Sequence, residues 1–342
     1  MIVCILYIVR KWYNVLSITH KKCLKEAYMN STLVVYESRY GFTEKAARDL
    51  ALILGPARCI RAGEPMEENE AYKQVVICFP VYMEEPPKEL TEWVDSHKDF
   101  LRSRRVALLC CALAESRLEQ YGEPIRSILG DSVCYSGFIG ARLQVKGLGS
   151  KDYMAMERFC NKAHMPFKDV DMSDYDRLMD MGVELRRLFE KDGNAMDGAD
   201  LKEQVELFLK EHNTCVLATA CQSSVRATPI EYNYMDGCIY MLSEGGEKFA
   251  NLLRNPKVSV GIYNSYAGLG SIGGMQITGE AQLLEAGCTE YIKLLEQKGL
   301  TMHKLSALPA ALNLIKIVPC KIELLDSRVA KKGYNVKQIM EF

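Results

Sequence analysis

Apolar and polar positions alternate in blocks along the first half of the chain. Three short apolar runs predict buried strands: TLVVY (32–36), QVVICFPVY (74–82) and RVALLCCAL (105–113). The segments TEKAARDLALIL (43–54) and PKELTEWVDSHKDFL (87–101) place apolar residues at helical spacing and predict helices between these strands. Strands that alternate with helices indicate βαβ units, in which a parallel sheet is covered on both faces.

Weaker signals continue the same pattern. ARCIRA (57–62) predicts another strand, and VCYSGFIGARL (133–143) predicts the last one. Further helices are predicted near 116–129 and over 172–192, where Ser173 suits the helix start. Residues 31–190 are therefore predicted to form an α/β doubly wound domain.

The pattern changes after a polar, Gly-containing break at 191–199, which we interpret as a linker. A helix over 199–213 precedes several β-type runs with only a few helices among them. The dipeptide Asp236–Gly237, between alternating β-type residues, predicts a tight hairpin. Residues 200–330 are predicted to form a mainly antiparallel barrel, followed by a C-terminal tail at 331–342.

Composition and charge narrow the functional class. The chain has 342 residues, of which 48% are hydrophobic and 25% charged, values that are ordinary for a globular protein of two domains. The formal net charge is −1, which argues against a strongly basic nucleic-acid surface. No nucleic acid partner is therefore expected.

The cysteine pattern favours free thiols. Thirteen cysteines are scattered without a C-x-x-C pair, and most lie in apolar runs, such as Cys78, Cys110, Cys215 and Cys320. This favours buried thiols over metal ligands or disulfides, so no metal site is predicted. The acidic run MEENE (66–70) is interpreted as a solvated loop. Free thiols are typical of a reducing compartment, and a cytoplasmic location is expected.

The first thirty residues differ from the rest. Nine apolar residues precede Arg10 and Lys11, far fewer than the ~20 that cross a bilayer, and these charges stand on the wrong side for a secretory signal. We interpret residues 1–30 as an extension that folding does not need, with globular patterning beginning after Met29. The alternative is a weak membrane-surface anchor, and stable membrane insertion is not expected.

The loop between the first strand and the first helix is the first candidate site. It consists of Ser38, Arg39, Tyr40, Gly41, Phe42 and Thr43. It lacks the Gly-Lys-[Ser/Thr] ending of a triphosphate loop and the spaced glycines of a dinucleotide loop. A hydroxyl at each end, one glycine and the N–H groups of a helix start suit a terminal phosphomonoester. The alternative is an ordinary turn with Thr43 as the helix cap.

Two other strand ends are expected beside this loop. In an open doubly wound sheet, ligands bind beyond the carboxyl ends of the strands, where the strand order reverses. The ends of the third and fourth strands supply candidate walls for a flat ring: Pro80, Val81, Tyr82, Met83, Ala112, Leu113 and Ala114. Backbone groups on these loops could reach ring nitrogen and oxygen atoms and tune a flavin.

Residues 31–190 resemble the flavodoxin-like FMN proteins, through YESRYGFTEKAA and FPVYMEEPPKELTEWV. The later segment GARLQVKGLGS…FKDVDMSDYDRLMDMGVEL resembles the flavodoxin-type protoporphyrinogen oxidases, which pass electrons from a porphyrinogen to a quinone. The resemblance implies strand order 2-1-3-4-5 and an FMN whose phosphate lies in the loop. Two positions depart from the family: Tyr40 replaces a common Thr or Ser, and no aromatic residue closely follows strand four, since Tyr121 is distant in sequence.

Polar residues suited to a phosphate recur in the second half. Arg226 and Thr228 share one face of a predicted strand, because side chains alternate with period two. Ser243 ends the next long strand, and the helix after it carries Lys248 and Asn251. Arg226, Ser243 and Lys248 together offer two cations and a hydroxyl to a phosphate dianion. The alternative is that the two cations are solvated surface charges.

Residues 200–330 resemble the pyridoxamine-phosphate-oxidase-like FMN-binding split barrels, through TCVLATA, the R-x-x-P element Arg226–Pro229 and the run ending in NPKVSV. The resemblance implies a split β-barrel that holds a second FMN at a homodimer interface. It also implies that Arg226, Ser243 and Lys248 bind the flavin phosphate. The lesser candidates that it suggests are Thr228, Asn251 and Gln276. The same family includes haem and deazaflavin binders.

The two resemblances together imply an FMN-dependent oxidoreductase that relays electrons between two flavin sites to a small-molecule or quinone-type acceptor. No acid or base stands out as catalytic, which fits chemistry carried by a cofactor. Two alternatives stay open. One is a flavodoxin-type electron carrier without its own substrate, and the other is a flavin- or ligand-binding sensor without turnover.

Overall fold

A computed structural model describes residues 31–66, 72–162, 164, 166–190, 194–300 and 312–342. The chain divides into two compact units, Met1–Lys191 and Asp192–Phe342. The division falls at the start of the linker expected from the sequence. The predicted N-terminal extension lies outside the described residues, as does nearly all of the acidic run at 66–70.

The apolar runs of the first unit form one parallel sheet. Its strands are β1 (Thr32–Tyr36), β2 (Ala57–Arg61), β3 (Gln74–Pro80), β4 (Arg105–Cys111) and β5 (Val133–Phe138). All pairings are parallel and the order is β2-β1-β3-β4-β5, which confirms the predicted doubly wound sheet. Every residue of β1 and β3 is buried, as a parallel sheet covered on both faces requires.

Helices cover both faces of this sheet. They are α1 (Phe42–Ile53), α2 (Lys88–Ser96), α3 (Lys98–Arg102), α4 (Leu118–Leu129) and α6 (Tyr175–Glu190). A further helix, α5 (Ser150–Lys162), contributes no residue to either core cluster of this unit. α1 and α6 bury Leu50 and Leu185 on one face, and α2 to α4 bury residues such as Leu90 on the other. The single helix predicted over 87–101 is two helices, because the backbone at His97 leaves the helical region (φ −111°, ψ 16°).

The chain between β5 and α6 departs from the prediction. The strand expected over 133–143 ends at Phe138, and a short strand β6 (Arg142–Leu143) pairs antiparallel with β7 (Val170–Asp171). Gly140 makes this change of direction possible. Its φ is +84°, and a Cβ there would lie 2.0 Å from the carbonyl oxygen of Met172. Helix α5, which the sequence analysis does not predict, lies between β6 and β7.

The second unit is built on one antiparallel sheet. Its strands are β8 (Thr214–Cys221), β9 (Ser224–Glu231), β10 (Asn233–Met235), β11 (Cys238–Ser243), β12 (Lys257–Tyr263), β13 (Gly273–Leu284), β14 (Asn313–Asp326) and β15 (Lys337–Glu341). The order is β10-β11-β14-β13-β12-β8-β9, with β15 paired to β14. This confirms the mainly antiparallel split barrel.

The core of the second unit lies inside the curved sheet. Its helices are α7 (Gly198–Glu211), α8 (Glu247–Leu252), α9 (Thr289–Gln297) and α10 (Ser327–Lys331). Phe208 of α7 is fully buried in one cluster with Leu217 and Ile277.

Asp236 and Gly237 have φ of 51° and 78° and join β10 to β11 as a two-residue loop, which confirms the predicted hairpin. The C-terminal tail expected at 331–342 contains β15, which pairs with β14.

The described cysteines are all free, in agreement with the sequence analysis. Cys78, Cys110 and Cys215 are buried as expected, but Cys320 is exposed. Thr278 pairs with Lys321 and Gly279 pairs with Pro319, so Cys320 is the extra residue of a β-bulge and points away from the core. Among the described helices, none is long and apolar enough to cross a membrane.

Gly140→Ala tests the turn after β5. We expect the free energy of unfolding to fall by at least ~2 kcal/mol, because a non-glycine residue is strained at this φ and its Cβ overlaps the Met172 carbonyl. Chemical denaturation monitored by circular dichroism measures the change. The control is Gly147→Ala, whose Cβ meets no atom within 4 Å. Equal stability of the two variants would contradict the close approach.

Candidate functional site

The loop after β1 has the geometry of an anion-binding turn. Gly41 directly precedes α1 as its N-cap with a φ of 83°, and nothing lies within 4 Å of the position that a Cβ would take. Its N–H donates to Ser38 Oγ at 3.0 Å. The N–H groups of Phe42, Thr43 and Glu44 occupy the first turn, where a helix leaves its amides without intrahelical partners. These amides and the helix dipole favour a bound anion.

The two loop hydroxyls are buried beneath this turn. Ser38 and Thr43 are only 9% and 3% exposed. Thr43 also contacts the thiol of Cys111, at the end of β4. Burial raises the pKa of Cys111 to about 12, and the hydrogen bond from Thr43 opposes that rise only in part. Cys111 is therefore a neutral thiol, and the loop end of the site carries no thiolate.

A cleft of about 560 Å³ opens beside the loop, at the carboxyl ends of β1, β3 and β4. The structure brings together the predicted residues of the first unit here, with the exception of Arg39: Ser38, Tyr40, Gly41, Phe42, Thr43, Pro80, Val81, Tyr82, Met83, Ala112, Leu113 and Ala114. The walls are mostly apolar. Tyr121, which is too distant in sequence to assign, also lines the cleft.

One wall is a tight turn after β3. The N–H of Tyr82 donates to the Glu85 carbonyl at 2.9 Å, and the Glu85 N–H donates back at 3.2 Å. Met83 and Glu84 both have positive φ, of 53° and 71°, which is unusual for residues other than glycine. The turn leaves Met83 76% exposed at the mouth of the cleft. Strained backbone of this kind clusters at binding sites.

Arg39 and Tyr40 are directed across the cleft mouth and not into the loop. Arg39 Nη1 donates to both carboxylate oxygens of Asp152 on α5, at 2.9 and 2.7 Å. The guanidinium also lies 4.5 Å from the centre of the Tyr82 ring. The hydroxyl of Tyr40 donates to the same carboxylate and accepts from the Gly149 N–H at 3.3 Å. Burial raises the pKa of Asp152, but the bonds from Tyr40 and Arg39 outweigh it and lower the pKa overall.

The 141–162 segment supplies a further wall that the sequence analysis missed. Its residues on the cleft are Ala141, Arg142, Leu143, Gln144, Gly147, Leu148, Asp152, Ala155, Met156 and Phe159. In α5, positions 152, 155, 156 and 159 follow the i, i+3, i+4, i+7 spacing of one helix face. That spacing was the available signal, although it is weak because most of α5 is exposed.

In the second unit, three of the predicted residues surround the start of α8. Arg226 on β9 forms an ion pair with Glu247, the first residue of α8. Lys248 follows it and is only 7% exposed, and its Nζ donates to the Gly245 carbonyl at 2.5 Å. Ser243 ends β11, three residues before the glycine that precedes α8, and is buried.

The remaining second-unit candidates divide between the two faces of the sheet. Asn251 Nδ2 donates to Thr219 Oγ1 at 3.2 Å, and Thr219 pairs with Arg226. Thr228 lies on the same face of β9 as Arg226, and its Oγ1 is buried without a hydrogen-bond partner. Gln276 pairs with Gly261, Gly261 with Val216, and Val216 with Pro229 of β9. Because Pro229 follows Thr228 directly and side chains alternate along a strand, Gln276 lies on the face opposite to Thr228. Within one chain, Gln276 is therefore separated from the other candidates.

Comparison with known proteins gives a separate family match for each of the two units of the chain. Residues 33–152 match the flavodoxin domain family, and residues 201–326 match the pyridoxamine 5'-phosphate oxidase family. The chain joins a flavodoxin domain to a pyridoxamine 5'-phosphate oxidase-type domain. These domains support a flavin-binding redox protein as the broad functional class. No curated protein sequence matches the chain.

Solved structures also resemble parts of the chain. HutZ, the haem storage protein of Vibrio cholerae, is 20% identical over 35% of this chain and 89% of its own, with a TM-score of 0.30. A FAD-binding protein of Mesorhizobium loti is 18% identical over 35% of this chain and 89% of its own, with a TM-score of 0.29. ChuZ of Campylobacter jejuni is 14% identical over 51% of this chain and 70% of its own, with a TM-score of 0.35.

Thr228→Val tests whether the buried hydroxyl is kept at a cost to stability. We expect the free energy of unfolding of the cofactor-free protein to rise by about 1 kcal/mol, because the substitution removes a buried polar atom that has no partner. The control is Thr219→Val, which should lower it by about 1 kcal/mol, since that hydroxyl accepts from Asn251. Urea denaturation measures both, and a loss of stability in Thr228→Val would argue against an unpartnered hydroxyl.

Proposed function

We propose that the protein is an FMN-dependent oxidoreductase with one FMN in the cleft of the flavodoxin domain and a second in the split barrel. The observation that carries the proposal is the cleft itself. An anion-binding turn with two buried hydroxyls stands at one end, and mostly apolar walls from β3 and β4 continue from it. This is the arrangement that a phosphate joined to a flat ring requires.

The end of the cleft next to the loop after β1 offers neutral hydrogen-bond donors to a bound phosphate. Ser38, Thr43 and the first amides of α1 would bind the phosphate oxygens, with the dipole of α1 adding positive potential. Arg39 is engaged by Asp152, so the proposal gives it no direct phosphate contact.

The ring end fits an apolar flavin ring system. The walls after β3 and β4 would orient the ring and exclude water from its faces. Bound FMN supplies the transfer of electrons or hydride, which the side chains of this chain do not perform themselves. The protein's own contribution is therefore binding, orientation and the polarity around the ring.

The second proposed site, in the split barrel, offers cations to a bound phosphate. Lys248 is buried, and Arg226 stands at the same helix start. Arg226 would exchange Glu247, whose side chain is 81% exposed, for the phosphate, and the two cations would then neutralise a dianion. Thr228 Oγ1 supports a ligand on this face, because a buried hydroxyl without a protein partner is free to bond one. The proposal includes a homodimer formed through the barrel, a feature common among split barrels of this family.

The finer part of the proposal is an electron relay between the two flavins to a small-molecule or quinone-type acceptor, in a reducing cytoplasm. The described free thiols support that compartment.

Steady-state reduction with NADH or NADPH as donor distinguishes an enzyme from an electron carrier and from a sensor. Turnover of a quinone acceptor supports the enzyme. Flavin that is reduced stoichiometrically without turnover indicates an electron carrier, and flavin that stays oxidised under both donors indicates a sensor.

Arg226→Ala combined with Lys248→Ala should empty the barrel site and lower the bound flavin from two FMN per chain to one. The reason is the loss of both cations that would neutralise the phosphate. Flavin released by denaturation and measured by absorbance gives the stoichiometry. The control Lys202→Ala with Lys210→Ala removes two exposed cations of α7 and should keep both flavins. Unchanged stoichiometry in the first variant would overturn the barrel assignment.

Ser38→Ala combined with Thr43→Val is the reciprocal experiment. It should empty the cleft and keep the barrel flavin, because it removes the two hydroxyls beneath the phosphate turn. Circular dichroism and a thermal melt check that the flavodoxin domain stays folded. If this variant retains two flavins per chain while folded, the cleft is not the site of the first FMN.

A further inference from the structure

The 141–162 segment is firmly attached at its base. β6 pairs with β7, and Arg142 forms an ion pair with Asp171 at 2.7 Å. The Met172 N–H donates to the Ala141 carbonyl at 2.9 Å, directly beside the close approach of Gly140. The chain on either side of the segment is therefore held together by one strand pair, β6 with β7, and this pair is the base about which the segment can hinge.

Away from this base, the segment has little core packing. In α5 the buried residue is Cys160, and the other residues of the helix are half-buried or exposed. Tyr153 of α5 contacts Phe167 with ring centres 4.9 Å apart, but Phe167 lies just after the segment, on the chain that leads to β7. This contact joins the segment to its neighbouring chain and does not fix it over the cleft.

Asp152 joins the segment to the phosphate turn. Its carboxylate accepts from Arg39 and Tyr40, which are consecutive residues of that turn, and its side chain is only 16% exposed. Gly149 adds a backbone N–H to the Tyr40 hydroxyl. Arg39 is about half-exposed, but the carboxylate that accepts from Arg39 and Tyr40 is largely shielded from solvent. Hydrogen bonds to a charged acceptor are stronger than neutral ones, so together these contacts are suited to hold the free end of the segment.

We propose that residues 141–162 are a lid over the cleft and that Asp152 is the positioning residue that latches it to Arg39 and Tyr40. The latched lid keeps Leu148, Met156 and Phe159 against the cleft and slows both the entry and the escape of its ligand. This inference rests on the proposed flavin site for its effect on FMN, whereas the latch itself is a property of the protein alone.

The first test uses hydrogen–deuterium exchange on the full-length, flavin-free protein. In Asp152→Asn the ion pair with Arg39 is lost, and the amides of α5 should exchange about fivefold faster while β1, β3 and β4 are unchanged. The matched control is Asp95→Asn, which removes a surface pair with Lys98 outside the cleft lining and should leave α5 unchanged. Equal exchange of α5 in the wild type and Asp152→Asn would overturn the latch.

The second test measures FMN association and dissociation by stopped-flow fluorescence. A latch predicts that both rates rise about fivefold in Asp152→Asn, which loses the ion pair with Arg39, and about threefold in Tyr40→Phe, which loses one hydrogen bond and keeps that ion pair. A rise in Asp152→Asn alone would assign the effect to the released Arg39 charge and overturn the latch. A rise in dissociation alone would indicate damage to the binding site, which also overturns it.

The two tests separate this inference from the proposed function. If the wild type binds no FMN in the cleft, the proposed function fails, but exchange in the flavin-free protein still decides whether Asp152 holds the lid. If FMN binds and the exchange of α5 does not respond to Asp152→Asn, the proposed function stands and the latch fails.

Discussion

The parallel register of β1, β3 and β4 is the constraint on which the cleft depends. Tyr36 lies beside Cys78, and Pro80 lies beside Cys111, so the three strands end at the same edge of the sheet. Because each strand is buried on both faces, a one-residue shift would move its apolar side chains between two packed layers. The core therefore holds the phosphate turn, the turn after β3 and the end of β4 in fixed relative positions.

The two proposed sites differ in the groups that they would offer to an anion. In the flavodoxin domain, Arg39 is paired with Asp152 and Lys45 with Asp49, so the turn relies on hydroxyls, amides and the helix dipole. In the barrel, Lys248 is buried at the start of α8. Arg226 reaches the same helix start through its ion pair with Glu247.

Both sites keep features that folding alone does not favour. Met83 and Glu84 have left-handed backbone conformations without being glycine, and Thr228 buries a hydroxyl that has no partner. Such features cost stability and persist where the surrounding structure holds them in place. They lie at the cleft mouth and on the Arg226 face of the barrel, which are the two positions where a ligand would recover that cost.

The sequence by itself determined the main buried strands of the parallel sheet, the change to an antiparallel pattern in the second half and the hairpin at Asp236, because these depend on local periodicity and turn chemistry. Only the tertiary structure decided the partners of the candidate site residues. Arg39 meets a carboxylate 113 positions away, and Gln276 falls on the far face through pairing with strands distant in sequence. Helix α5 escaped prediction because its apolar face covers a cleft and not a core. Long-range contacts of this kind arise from strand order and register, which no local pattern contains.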